Sequence, residues 1–415
     1  MRVCIHRGSK QIGGSCVEIE SGDKRLLLDI GLPLDAEDND TKYLPSIPGL
    51  DGSGDSLLAI LISHSHLDHF GLLKHVSKNI PVYMGAAARR IIEAASPFQL
   101  DNWPVPSSGG NLKSEEPIEM KPFTITPFLI DHSAYDAYAL MIDADGKRLF
   151  YSGDFRAHGR KAKLVRSLMA NPPPKIDAML LEGTSLDKPE HGDDFPSESD
   201  IEKQLVDTIK ETNGLVMVHT SSQNIDRIVS IFRACKKTER KLVIDLYTAV
   251  VLEATDNRNL PQSGWPEVIL YVPQSQRVKI KNNKWFDLLK KHAKNRVFIN
   301  DLREISNQSV LLFRPLHMND LEKADCIKGA VYVYSQWEGY WEQDSFSSVR
   351  EWLVKHNISK ISIHTSGHAS PHDLKQFVTA LNPSKVVPIH TFKPERYPDL
   401  FENVVIHNDG DWWDV

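Results

Sequence analysis

Cysteine is scarce in this chain of 415 residues: four, at Cys4, Cys16, Cys235 and Cys326, with no Cys-x-x-Cys spacing among them. That argues against a disulfide framework and leaves reduced, buried thiols in a cytoplasmic protein. No apolar run approaches the roughly 20 residues that cross a bilayer, and no charged-then-apolar leader opens the sequence, so neither a membrane span nor an export signal is expected. There is no internal repeat and no low-complexity tract, hence no sign of a repeat array or of disorder. Charge of neither sign dominates, with 49 Lys and Arg against 55 Asp and Glu and a formal net charge of −6. Such a balance neither demands nor forbids a nucleic-acid partner, because bound metal can neutralise part of the acidic excess. The remainder is ordinary globular composition, 41% hydrophobic and 25% charged, long enough for two or three domains.

What is present is a concentration of histidine. The apolar run Leu57 to Ile62 reads as a buried strand, and Ser63-His64-Ser65-His66-Leu67-Asp68-His69 follows it directly. Side chains two apart on an extended segment point the same way, so His64 and His66 can grip one cation. Asp68 and His69 lie where Leu72, Leu73 and Val76 begin a helical period, and can turn toward a second cation. Other apolar segments end in the same fashion: Phe123 to Ile130 at Asp131-His132-Ser133, Arg148 to Tyr151 at Ser152-Gly153-Asp154, and Asp177 to Leu181 at Glu182. Strands packed side by side would bring those ends to one rim. Asp29 closes the apolar strand that contains Leu26 to Leu28, where an acid can orient a ligand histidine from behind or simply start a turn. Imidazole and carboxylate suit zinc, and a pair of cations can hold and activate water.

Around these motifs the first part of the chain alternates strands and turns, with helix expected over Ala86 to Ala95 and surface loops over Asp35 to Asp55 and Leu186 to Pro196. From about Ser197 the pattern becomes helix and strand in turn: helix over Ile201 to Thr212, strand over Leu215 to His219, helix over Ile225 to Lys236, strand over Lys241 to Leu246. That is an α/β unit with a parallel sheet. Later come a strand over Val331 to Tyr334, a helix over Phe346 to His356, a helix over Asp373 to Leu381, and strands over Val386 to Ile389 and Val404 to His407, with Trp412 and Trp413 as an aromatic tail. The expected division is 1–196, 197–360 and 361–415, the last segment returning to the first domain.

Asp29, His64-x-His66-x-Asp68-His69, His132 and Ser-Gly-Asp154, in that order, resemble the hydrolase motifs of the metallo-β-lactamase fold. An α/β domain inserted between Glu182 and His390 further resembles the β-CASP branch, nucleic-acid hydrolases such as ribonuclease J. That branch carries an acid, a histidine and a histidine as additional motifs, matched by Glu182, by His368 in Ser-Gly-His-Ala and by His390 in Val-Pro-Ile-His. The resemblance implies an α/β fold: an αββα sandwich of two sheets flanked by helices, with the inserted β-CASP domain. It implies two zinc ions, with manganese as the alternative, one held by His64, His66 and His132, the other by Asp68, His69 and His390, and Asp154 bridging. It also implies catalysis by Asp68, Asp154, Glu182 and His368: a metal-bridging hydroxide attacks phosphorus, and His368, with Glu182, serves the leaving 3′ oxygen, giving 5′-phosphate and 3′-hydroxyl ends. For His368 a purely structural hydrogen bond to Glu182 is the competing role.

A histidine at the last motif accompanies RNA processing in that family, so single-stranded RNA is the expected partner and DNA the nearest rival. A small-molecule ester or lactam hydrolase is disfavoured by the insert, and a silent scaffold by the complete ligand set. Thr220-Ser221-Ser222-Gln223-Asn224-Ile225-Asp226-Arg227 opens a helix after a strand, so Ser221, Ser222, Asn224 and Arg227 can meet phosphate or simply cap the helix. His364 and Ser366 match the family's phosphate-binding strand end. Arg156, Arg160, Lys161 and Lys163 follow Asp154 and are placed to steer substrate, whereas the lysines between Arg277 and Arg296 read first as a solvated helix face. Ser335-Gln336-Trp337-Glu338-Gly339-Tyr340 departs from the Ser-Gln-Gly-Glu-Pro stretch of ribonuclease J, and the exonuclease or endonuclease mode and the oligomeric state stay open.

Overall fold

Strands that are buried on both faces read as unbroken apolar runs, and here they form the middle of two sheets. In a computed structural model of the protein, residues 1–38, 40–99, 105, 109–186 and 194–415 are described. The first sheet contains β1 (Arg2–Arg7), β2 (Cys16–Ser21), β3 (Lys24–Leu28), β4 (Leu57–Leu61), β5 (Val82–Gly85) and β6 (Asn111–Leu112) side by side, with Trp412–Asp414 beyond β1. The second has β7 (Ile118–Met120), β8 (Phe123–Ile130), β9 (Ala137–Ala144), β10 (Lys147–Tyr151) and β11 (Ala178–Glu182), with Val386–Ile389 outside β11.

The sheets meet through alternate side chains, Val3, Val17, Leu26 and Leu61 from one and Ile125, Leu140, Leu149 and Leu180 from the other, all fully buried. Helix Ala86–Ala95 covers the far side of the first sheet with Ile92 against Ile60, Val82 and Met84. Helices Ala162–Ala170 and Pro371–Leu381 cover the second with Val165, Leu168, Leu374 and Phe377. The result is the αββα sandwich.

The chain divides into two compact units, Met1–Phe195 with Gly367–Val415, and Pro196–Ser366. The second unit is a seven-stranded sheet with every pairing parallel, built from β12 (Val216–His219), β13 (Lys241–Ile244), β14 (Val268–Tyr271), β15 (Arg296–Val297), β16 (Ser309–Phe313), β17 (Val331–Tyr334) and β18 (Ser359–Ser362) in the spatial order β15-β14-β13-β16-β12-β17-β18. The strands that return to the first unit are β19 (Val386–Ile389) and β20 (Trp412–Asp414).

Two expectations change. The return to the first unit comes after Ser366 rather than at 361, because β18 pairs with β17, Ile361 beside Val333, and so completes the insert's sheet. Val404 to His407 makes only a bridge from Val404 to Val386, while the aromatic tail is the strand, with Trp413 opposite Val3. Burial decides this: Trp413 is 8% exposed, whereas Val405 and Ile406 stay 37% and 42% exposed, and packing rather than β-branching selects the strand. Of the expected loop Leu186 to Pro196, residues 187–193 lie outside the described residues. Among the described residues, no helix is long and apolar enough to cross a membrane.

Candidate metal centre

The site is assembled where strands of the first unit end. After β4 the chain turns through Ser63 to His66 into the single-turn helix Leu67–Phe70, and the end of β3 grips that turn from behind. Asp29 N–H donates to Leu61 O at 2.9 Å, Ile30 N–H to His69 O at 2.9 Å, and Ser15 N–H to Asp68 O at 3.0 Å. Gly31 passes so close that a Cβ there would lie 1.7 Å from Asp68 O, which explains the glycine. Both Asp29 (φ +58°) and His390 (φ +53°) occupy the left-handed region, which short polar residues tolerate best.

The candidate ligands converge in two groups, His64 with His66 and His132, and Asp68 with His69, Asp154 and His390. His66 Nδ1 lies 3.1 Å from His64 Nε2 and 3.2 Å from His132 Nε2. Ligand atoms about 2.0–2.1 Å from a tetrahedral zinc stand roughly 3.3 Å apart, so the three nitrogens already have the spacing of a coordination face. Asp154 Oδ2 joins the groups: His69 Nε2 approaches it to 3.0 Å, His390 Nε2 to 3.6 Å and His64 Nε2 to 3.8 Å. Asp68 Oδ2 is 3.8 Å from His69 Nε2 and 3.7 Å from His390 Nε2. The His390 Nε2 atom is buried with no hydrogen bond, an arrangement that a cation would satisfy. The donor set therefore fits a divalent metal.

Protonation follows from these surroundings. Burial, reinforced by neighbouring rings, pushes His64 and His132 well below the ordinary histidine range and brings His66 down to about 4, so all three are neutral at pH 7 and can offer lone pairs. Burial also opposes a charge on His69, yet the carboxylates of Asp154, Asp29 and Asp68 outweigh it and raise that imidazole well above its usual range. For Asp154 burial opposes ionisation, but His390, His69 and His368 hold its carboxyl well below the usual range.

Behind the ligands stands a layer of hydrogen bonds. Asp29 Oδ2 accepts from His69 Nδ1 at 2.7 Å, from Ser63 Oγ at 2.8 Å and from Tyr151 Oη at 2.6 Å, while Asp29 Oδ1 accepts from Ser63 N at 2.7 Å. That bond fixes the His69 tautomer with Nε2 toward Asp154. Ser15 Oγ does the same for His390, 2.9 Å from its Nδ1. Neither Ser15, Ser63 nor Tyr151 stands out in the sequence, since a hydroxyl at a strand end looks like any other.

Glu182 and His368 form a third group with Asp154. His368 Nδ1 lies 3.3 Å from Glu182 Oε2 and 3.8 Å from Asp154 Oδ2. The buried Glu182 carboxylate is fixed by N–H groups of Phe155 (3.2 Å), Thr184 (3.1 Å) and Ala369 (3.4 Å). Burial lowers the His368 basicity, but Glu182 and Asp154 overcome it and raise its pKa.

The remaining singled-out residues take other positions. Arg156 is fully buried, its Nε 3.6 Å from Asp131 Oδ1, so it braces the strand end that carries His132 instead of steering substrate. In the insert, Asn224 caps helix Ile225–Lys237 by accepting from Arg227 N at 3.1 Å. Arg227 is itself 0% exposed and commits all three guanidinium nitrogens, to Glu198 at 3.0 and 3.2 Å, to Ser335, and to Thr365 O at 3.4 Å. It is a tie inside the insert, and a phosphate role for it is withdrawn. Ser222 is buried against Thr248 Oγ1 at 2.8 Å and the Arg314 guanidinium, whereas Ser221 is exposed and His364 and Ser366 are partly exposed beyond β18.

The family pattern described as a beta-lactamase superfamily domain matches residues 25–244, more than half of the chain. The chain belongs to that superfamily. A second pattern, a Zn-dependent metallo-hydrolase RNA specificity domain, matches residues 354–395, the segment that carries His368 and His390. The chain is 20% identical to ribonuclease J of Mycoplasma genitalium over 92% of its own length and 66% of that protein, and 22% identical to ribonuclease J of Sinorhizobium meliloti over 84% and 60%. It is also 28% identical to transcription termination factor FttA of Methanothermobacter thermautotrophicus over 51% of this chain and 35% of that one. The chain thus spans less than two thirds of the length of these relatives. A protein of unknown function from Enterococcus faecalis V583 shares the fold, with a TM-score of 0.79, 21% identity and 99% of each chain covered.

Proposed function

We propose that this chain is a metal-dependent hydrolase that cleaves phosphodiester bonds of RNA, single-stranded RNA above all, and that it works with two zinc ions in the cytoplasm. The observation that carries the reading is Asp154 Oδ2, one carboxylate oxygen approached by histidines of both candidate ligand groups and by His368. His64, His66 and His132 would hold one ion and Asp68, His69 and His390 the other, with Asp154 within reach of both groups; manganese is the alternative for such a nitrogen and oxygen set. When bound, the ions supply Lewis-acid charge for the phosphoryl oxygens and lower the pKa of a water nucleophile.

The chain's own groups do the rest. Asp29 and Ser15 keep the His69 and His390 rings turned so that Nε2 faces the site. Asp68 and Asp154 orient the attacking water by accepting its hydrogens. Glu182 holds His368 in place and raises its basicity, so the imidazolium can give a proton to the leaving 3′ oxygen, leaving 5′-phosphate and 3′-hydroxyl products. RNA is supported as the substrate by the RNA specificity pattern over 354–395 and by the ribonuclease relatives. Four buried free thiols are in keeping with a reducing compartment.

The test is digestion of matched 5′-labelled, 3′-labelled and circular RNA and DNA by the zinc-loaded chain, beside Asp154→Ala. Linear RNA should be cut, with the rate falling about a thousandfold or more in the variant, and cutting of the circle would assign an endonuclease. Inertness toward every nucleic acid, with two metals per chain verified by mass spectrometry, would overturn the proposal.

A further inference from the structure

The insert presents a surface that the metal chemistry leaves unused. Between Arg277 and Arg296 lie eight basic residues, Arg277, Lys279, Lys281, Lys284, Lys290, Lys291, Lys294 and Arg296, against the single acid Asp287, in a chain whose total charge is −6. The segment folds as helices Gln274–Asn282 and Phe286–His292, with Lys284 at φ +57° making the corner, and runs on into β15. Its inward side is committed: Ile280 is 3%, Gln276 4% and His292 3% exposed. Its outward side is apolar as well as basic, with Val278 46%, Phe286 58% and Phe298 56% exposed.

Some of the cations are already engaged. Lys291 pairs with Glu253 at 2.8 Å, and Arg277 lies 3.8 Å from Asp320. Among the described residues Lys281, Lys284 and Lys290 have no ion-pair partner, and all three are exposed. Phe286 and Lys290 stand one helical turn apart on the same face. The Arg296 guanidinium lies over the Phe298 ring, 4.7 Å from its centroid, so one face of that ring is already engaged by a cation.

A solvated helix face accounts for part of this, because lysines near helix C-termini are favoured by the dipole, which covers Lys279, Lys281, Lys290 and Lys291. It gives no reason for two phenylalanines and a valine exposed among them. Unpaired ammonium groups beside accessible aromatic rings are what a single strand of RNA recognises, its phosphates at the charges and its bases on the rings.

We propose that the exposed side of this helix pair, with Lys281, Lys284, Phe286 and Lys290, binds single-stranded RNA, with phosphates at the three lysines and a base stacked on Phe286. The proposal rests on the ribonuclease reading for the identity of the strand, and it adds a holding surface made of residues other than those of the metal centre. The test uses the full, zinc-loaded chain and a fluorescent 20-nucleotide phosphorothioate oligouridine, with binding followed by anisotropy across a salt series. Lys281→Gln/Lys284→Gln/Lys290→Gln should weaken binding at least tenfold at low salt and make the slope of log affinity against log salt shallower by about two, since each single-strand phosphate contact contributes roughly 0.7. Phe286→Ala should weaken binding roughly tenfold with the slope unchanged.

Melting curves that match the parent chain show that these exposed substitutions leave the fold intact. Unchanged affinity and slope in both variants would overturn the proposal. So would variants that keep RNA binding but lose binding to phosphatidylserine vesicles or to a polyglutamate peptide, which would reassign the face to a membrane or an acidic protein. If the parent chain cuts no RNA yet its binding depends on these residues, the ribonuclease reading falls and this surface stands; cutting with variant-insensitive binding is the reverse.

Discussion

Asp29 shows how much of the candidate metal centre is held in place by atoms that are not themselves candidate ligands. Its carboxylate takes four hydrogen bonds, from Ser63 N and Oγ, Tyr151 Oη and His69 Nδ1, and only the last concerns a candidate ligand. The other three hold the acid rigid, so the acid can hold the ring. Asp29→Asn should therefore lower zinc affinity about 10- to 100-fold in a chelator competition, while Tyr151→Phe should weaken it by less because two donors from Ser63 remain. Equal affinity in Asp29→Asn and the parent would mean that the backbone alone positions His69. At this scale the convergence of the candidate ligand histidines was legible because His-x-His-x-Asp-His after an apolar strand is rare, and Asp29 because an acid closes its own strand. Tyr151, Ser63 and Ser15 were not legible, since their importance comes from a tertiary meeting of β10, β4 and the segment before β2.

Between elements the same limit appears in a stronger form. Arg227 looks like a cation free to meet phosphate at the start of a helix, but it ties helix Ile225–Lys237 to helix Glu198–Glu211 through Glu198, and neither side chain reaches solvent. Periodicity marked both helices; it could not show that their charged residues face each other. Arg227→Met should cost about 3–5 kcal/mol by urea unfolding, because the buried Glu198 carboxylate loses its counter-charge and keeps only neutral hydrogen bonding such as that from Ser230 Oγ at 2.6 Å, and adding Glu198→Leu should recover most of that loss. A loss under about 1 kcal/mol in the single variant would show that water reaches Glu198. Glu18 on β2 makes a related tie, to His6 on β1 at 2.7 Å and to Arg25 on β3. Burial raises its carboxyl, but His6 and Arg25 outweigh burial and hold it below the usual range. The sign follows: this stabilisation is complete above about pH 4.5 and is lost as pH falls through the lower, folded value. Glu18→Gln should thus flatten the acid limb of the stability curve, with stability measured between pH 5 and 3; an unaltered limb would place the acid sensitivity elsewhere.

At the scale of the whole molecule the chain is two compact units with separate apolar cores, and the candidate ligands all belong to the first. The candidate ligands come from distant parts of the sequence, His64 to His69 early and His390 late, so in sequence the insert interrupts the segments that supply one candidate centre. A metal bound there stabilises the unit that supplies its ligands and has no direct hold on the core of the other. Calorimetry of the zinc-loaded chain should therefore resolve two transitions, one for each core. Chelation should move only one of them: metal held at 100 times its dissociation constant contributes about 2.7 kcal/mol, or roughly 5–10 °C for a unit of this size. Asp154→Ala should abolish that shift while leaving the second transition in place, because Asp154 lies in the first unit and is buried among the ligands of both groups. A single transition that moves as a whole on chelation would show instead that the insert unfolds with the sandwich, so that the metal, drawing ligands from both sides of the insertion, governs the stability of the entire chain.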